Sequence, residues 1–422
     1  MQLRESLTET NHTRHAIVVA AVALAACIAG ILNDFVYDDV PLIVENLRLH
    51  SLTNAVEIVS QPYWPPPFIE QLYRPLAVLL LAVEWAVGAG NPVVFRLVSY
   101  ALYVASAVAF FRLATMLLAR HVAFAVALLF AVHPVHVEAA ALGVNQGELI
   151  VGLSALLVAA RYIERRRGGG LHAVDWAVMA AWYAAAVFTK ENGFVLPALL
   201  VAAELTLFGS KGTSRPARAL WPGYVAMAAV AAVALVVRHA VLSGLVGAAP
   251  AKALVGLSLG ERAFTMLQVV PMWVRLLVWP QHLQADFGPN EIVLPTSVGL
   301  AELGGVAVIA AAFAVLLLAR RQRPVAAFGI AWCAVALLPV SNLVPTGIML
   351  AERTLFLPSA GFLLAAGALS EMVALQRGGR SVAVRRALVA TLALLVALGL
   401  GRSANRHALW NSAHFVVAPR QP

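Results

Sequence analysis

Charge is scarce in this chain. Only 12% of its 422 residues are Asp, Glu, Lys or Arg, where soluble domains carry about a quarter. An ordinary water-soluble enzyme is thereby excluded. Lysine is rarer still, confined to Lys190, Lys211 and Lys252. Cysteine occurs only at Cys27 and Cys333, each inside an apolar run, so neither a disulfide framework nor a thiolate metal site is indicated. Also missing are a glycine-rich phosphate loop, an internal repeat and an A-x-A-like cleavage site after the first apolar run.

What the chain has is apolar length. Apolar residues make up 61% of it and the mean hydropathy is +0.83. At roughly 20 residues per crossing, that supplies about ten helices with residues left for loops. The expected fold class is therefore an all-α polytopic membrane protein, with a single membrane domain over residues 1–422. The net charge of +9 does not point to nucleic acid, because the arginines cluster in short gaps between apolar runs.

Five gaps are clearly basic: Arg112 to Arg120, Arg161 to Arg167, Lys211 to Arg218, Arg320 to Arg323 and Arg377 to Arg386. The positive-inside rule places all five in the cytoplasm and so fixes parity. After a cytoplasmic tail (1–15), helices are expected at 16–32, 93–111, 122–136, 143–161, 173–189, 193–209, 220–243, 298–318, 324–340, 354–375 and 385–401. That makes about eleven crossings. The apolar stretch 264–279, with Pro271 and Pro280 on or beside it, breaks the parity if it crosses and is expected to be re-entrant or interfacial. Residues 33–92 form a long first extracytoplasmic loop, in which 75–90 is an interfacial helix carrying Glu84 and ended by Gly88 and Gly90. The tail 402–422 also falls outside.

The polar residues gather on that same external side. Adjacent Asp38 and Asp39 follow the first helix in FVYDDV; such carboxylates repel, which raises the pKa of one and suits it to take a proton from a hydroxyl. Caps at a solvated helix end would look the same. Arg74 stands before Pro75, and Lys190 and Glu191, which could simply pair with each other, sit between two helices. His133, His136 and Glu138 are spaced as H-x-x-H-x-E, which could bind a divalent metal or hydrogen-bond a polar substrate; the substrate is favoured, so no metal or other cofactor is expected. Glu352 and Arg353 stand where a late helix re-enters, and an arginine there can grip a phosphate through its fork. Asp286 is a weaker candidate. Ionisable residues on one face of a membrane protein favour a one-sided enzyme; an ion-coupled transporter or lipid-linked-sugar flippase, which places them at the midplane between repeats, is the alternative.

The order of motifs FVYDD, YRPL, FAVHPVHVEA, FTKENG, LLPVSNLVP, AERTLFLPSAGF and RHALWNSAHF resembles the membrane part of the transmembrane O-mannosyltransferases that carry tetratricopeptide repeats. That resemblance spans nearly the whole chain. It implies a GT-C fold glycosyltransferase, moving mannose with inversion from a polyprenyl-phosphate donor to a protein, glycan or lipid hydroxyl on the extracytoplasmic face. It further implies that Asp38 or Asp39 is the base, that Arg353 faces the lipid phosphate, and that Arg74, His133, His136, Glu138, Lys190 and Glu191 line the same cavity. The sequence ends at Pro422, where that family continues into its repeats, which leaves acceptor docking open. The Arg- and Ala-rich composition points to a bacterial plasma membrane.

Overall fold

The computed structural model describes residues 2–68, 72–209, 220–244, 251–285, 287, 292–295, 297–376 and 382–411. Among the described residues all regular structure is helical. The longer helices are α1 (Gln2–Cys27), α2 (Pro75–Gly88), α3 (Pro92–Leu117), α4 (Arg120–Ala131), α5 (Gln146–Arg167) and α6 (Ala173–Thr189). They continue with α7 (Leu196–Ala203), α8 (Trp221–Leu242), α9 (Leu259–Leu267), α10 (Val269–Val278), α11 (Leu300–Gln322), α12 (Pro324–Leu337), α13 (Phe356–Gln376) and α14 (Val382–Leu409). Each segment expected to cross overlaps helical structure, in one case broken in two. Eight helices among the described residues are long and apolar enough to span a membrane, or nine if the bent pair Arg120–Ala131 and Pro134–Ala141 is one span. Ala173–Thr189 and Pro324–Val340 are apolar but shorter. The stretch 264–279 forms two short helices, α9 and α10, instead of one long one.

Several expected boundaries are corrected. The helix placed at 122–136 stops at Ala131, and the chain bends by 47° before Pro134–Ala141. Pro134 lacks an N–H and its ring disfavours a helical residue before it, and His133 is extended at φ −68°, ψ 118°. Residues 2–15, assigned to a tail, belong to α1, while α3, α5 and α14 run on to Leu117, Arg167 and Leu409. Hydropathy marks only the apolar part of a helix; the polar turns at its ends are helical too, and arginines there suit the negative end of the helix dipole.

At the centre lies α5, 83% of whose apolar window is buried, packed against α3, α6 and α13. At the periphery α11 has only 11% of its window buried, leaving Leu300, Ile309 and Phe313 exposed as a lipid-facing helix requires. The α12–α13 pair closes through glycine: a Cβ on Gly329 would lie 2.4 Å from the Gly361 carbonyl oxygen. Only glycine permits that approach. The loop 33–92 builds a core of its own from Val36, Leu42, Ile58, Tyr63 and Leu81, against Phe95 and Trp410.

Candidate functional site

Beyond α1 the backbone turns at Tyr37, which adopts the left-handed φ of 55°, a conformation that costs a non-glycine residue about 1 kcal/mol or more. Past this turn the two adjacent carboxylates part company. Asp39 is fully buried, whereas Asp38 is half-buried. Asp39 accepts hydrogen bonds from Arg96 Nη1 at 3.3 Å, Gly143 N at 3.1 Å and Val144 N at 2.9 Å. The approach at Gly143 is close: a Cβ there would meet the end of the Ile43 side chain at 3.0 Å and lie in ordinary contact with Asp39 Oδ1 at 3.5 Å. Burial raises the Asp39 pKa, opposed by Arg96 and the two amides. The cause is desolvation and not repulsion from its neighbour. Arg96 itself is buried and donates a second bond, from Nη2 to Asp34 O at 2.9 Å.

Around this turn the structure gathers cations that are held from behind. Glu138, on a single helical turn (Val137–Ala141), accepts from both the backbone N and the guanidinium of Arg353. Lys190 Nζ lies 2.8 Å from Glu148, in the first turn of α5, and Arg406 of α14 lies 2.8 Å from Glu352. The cationic side chains of Arg353, Lys190 and Arg406 keep 12, 12 and 16% of their surface exposed; their partners Glu138, Glu148 and Glu352 keep 0, 3 and 0%. Each carboxylate is thus enclosed, and what little exposure each pair keeps belongs mainly to the cation. Asp38 acts electrostatically on Arg353, and Arg74 and Arg353 both act on Lys190, so these groups form one cluster. Lys190 lies between helices, and burial lowers its pKa, with Glu148 opposing and Arg74 and Arg353 reinforcing.

Arg74 caps α2, lies 4.9 Å over the Tyr63 ring and donates to Glu191 through Nε at 3.0 Å and Nη2 at 2.7 Å. Glu191 also accepts from Arg238 at 3.1 Å. Lys190 and Glu191, neighbours in sequence, therefore serve different partners.

The two histidines sit deeper than a cavity-lining role implies. His133 Nδ1 accepts from Val135 N, which leaves Nε2–H to donate to Leu277 O at 3.0 Å. His136 packs between the rings of Phe130 and Phe356 and bonds Ser359 Oγ at 2.8 Å. The break at Pro134 sends His133, His136 and Glu138 to separate partners, and among the described residues no three His, Cys, Asp or Glu side chains are grouped to hold a metal. Asp286 lies outside the described residues.

Sequence reading missed Arg96, Glu148, Arg238, Arg406 and Tyr63. For the first three a signal existed, namely a charge inside or at the edge of an apolar helix, which is costly unless paired.

No family model matches the chain. Among curated proteins it is similar to Protein O-mannosyl-transferase TMTC3 of Mus musculus, 27% identical over 222 residues, or 51% of this chain and 24% of that protein. Protein O-mannosyl-transferase TMTC4 of Homo sapiens is 27% identical over 46% of this chain and 29% of its own length. A Caenorhabditis elegans protein O-mannosyl-transferase is 22% identical over 83% of this chain and 50% of its own. The chain thus spans between about a quarter and a half of these relatives. At 22–27% identity, and across its membrane-like helices, it is a distant O-mannosyltransferase-like relative.

Proposed function

We propose that this chain is a multi-pass membrane glycosyltransferase of the GT-C type, moving mannose from a polyprenyl-phosphate donor to a hydroxyl of a protein, glycan or lipid acceptor. The observation that carries this reading is the half-buried Asp38 grouped with Arg353 and Lys190, cations mostly buried themselves and each fixed by a buried carboxylate. In a single displacement, Asp38 takes the acceptor proton as the hydroxyl oxygen bonds to C1. The bond from C1 to the phosphate oxygen breaks, its electron pair leaves with the phosphate, and the anomeric centre inverts. Arg353, Lys190 and Arg74 meet the charge that develops on the phosphate. Cations already anchored need no rearrangement at that moment, which is where electrostatic catalysis gains most. An arriving phosphate also relieves the mutual repulsion of Arg74, Arg353 and Lys190. Asp39, closed in by three donors, shapes the turn instead of serving as base.

In this reading the site faces the extracytoplasmic side of a bacterial plasma membrane, opposite the arginine-rich gaps, and the prenyl chain enters from the bilayer. Side-chain cations take the role a metal would otherwise have, so treating the enzyme with a chelator leaves its rate unchanged. The deciding experiment is transfer of radiolabelled mannose from synthetic polyprenyl-phosphate mannose by the purified protein in liposomes. Label in an acceptor with wild type and none with Asp38→Asn supports the transferase. Movement of the donor across the bilayer without transfer would replace it with the flippase reading.

A further inference from the structure

The helix α14 makes its contacts unevenly. Its apolar window has no residue buried, and Leu388, Val389, Leu394 and Leu398 stand exposed. The last turns are different, because there Ser403, Arg406 and the His407 carbonyl bond to elements of the site. Ser403 Oγ donates to Val132 O at 2.9 Å, beside the turn that carries His133 and Glu138. Arg406 Nη2 donates to both Glu352 oxygens, at 3.0 and 2.8 Å, and Nη1 to Leu283 O at 2.9 Å. His407 O accepts from Asn33 Nδ2 at 2.7 Å, at the start of the segment leading to Asp38. Trp410 is buried in the same apolar cluster as Val36 and Tyr63.

We propose that the segment from Ser403 to Trp410 is a brace that holds the two halves of the site in register, with Arg406 as its positioning residue. One half is the turn bearing Asp38; the other is the Glu352–Arg353 turn. These halves come from opposite ends of the chain, and no short loop joins them. A guanidinium suits the task because its two ends act at once, Nη2 on both oxygens of the buried Glu352 carboxylate and Nη1 on the Leu283 carbonyl, which fixes orientation as well as distance. Glu352 held in this way fixes the backbone of Arg353, whose side chain and amide then meet Glu138. What the brace positions rests on the transferase reading above; that it positions these two turns rests on the contacts alone.

The test uses the full chain in nanodiscs, with two readouts. In Arg406→Gln, amide exchange at Glu352–Leu355 rises about ten-fold while α3 and α5 keep their protection. In Asn33→Ala the rise falls instead on Phe35–Asp39. Mannose transfer by Arg406→Gln drops by about 10²-fold with a raised KM for the donor, and Arg406→Lys restores part of it. Unchanged exchange at Glu352–Leu355, or wild-type kcat and KM in Arg406→Gln, overturns the brace. Protection lost throughout the bundle also overturns it, by making Arg406 a residue of general stability. If the wild type transfers no mannose the transferase reading falls, and the exchange data alone decide.

Discussion

At the N-terminal end of α5, Glu148 lies buried against Lys190; at the other end, about 24 Å away along the axis, Arg112 and Glu164 pair at 2.8 Å with about half of each side chain exposed. Arg161 and Arg165 share Asp175 at that far end, with 31 and 45% of their side chains exposed. Arg166, held by Glu204, is buried there. The same pairing chemistry thus serves two ends. In the far end the arginines reach toward water and tell only which way the helix points. At the near end both partners are withheld from water, where an ion pair is expensive to create and stays in place once formed.

The sharpest way to break this contrast is within the near end itself. Asp38→Asn lowers transfer by about 10³-fold with little change in thermal unfolding, because it removes a proton acceptor from a half-buried position. Asp39→Asn does the reverse to the fold: Arg96 is left buried without its charge partner, and unfolding in detergent shows a loss of about 3–5 kcal/mol. Glu84→Gln comes next. Glu84, on α2 in the loop and outside the spans, is pushed up to about 8 by burial, with Gln146 opposing and Asp39 reinforcing. Its folded form holds a proton that the unfolded chain loses near 4.5, so wild-type stability is full below pH 4.5, declines as pH rises toward 8 and then levels. Glutamine removes that decline. The variant gains on wild type across this window, by on the order of 5 kcal/mol above pH 8, read as melting temperature against pH. The smallest effect belongs to the far end, where Arg112→Ala costs less than about 1 kcal/mol, and less still in high salt.

Much of the bundle is legible in the sequence. The segment expected at 173–189 is the helix Ala173–Thr189, because an apolar run with a cap at either end is a local property. Pro134 shows the limit: a single proline ends a helix whose hydropathy continues to 136. The site was half legible. Asp38, Arg74, Lys190 and Arg353 stand out as charges next to apolar runs. Which carboxylate lies behind which cation does not, since Asp39 and Arg96 are 57 residues apart and Glu138 and Arg353 are 215 apart. Nor does the separation of Asp38 from Asp39 show, because it depends on a left-handed residue, Tyr37, that nothing in its side chain announces.

The 215 residues between Glu138 and Arg353 also set an order in time. At about 5–20 residues per second, a ribosome finishes the glutamate some 10–40 s before it makes the arginine. Throughout that interval several helices are inserted around a carboxyl that has no countercharge. The ion pair at the centre of the site is therefore among the later contacts the chain can make, and a nascent chain stopped short of Arg353 holds a bundle with an unanswered charge, a ready mark for quality control.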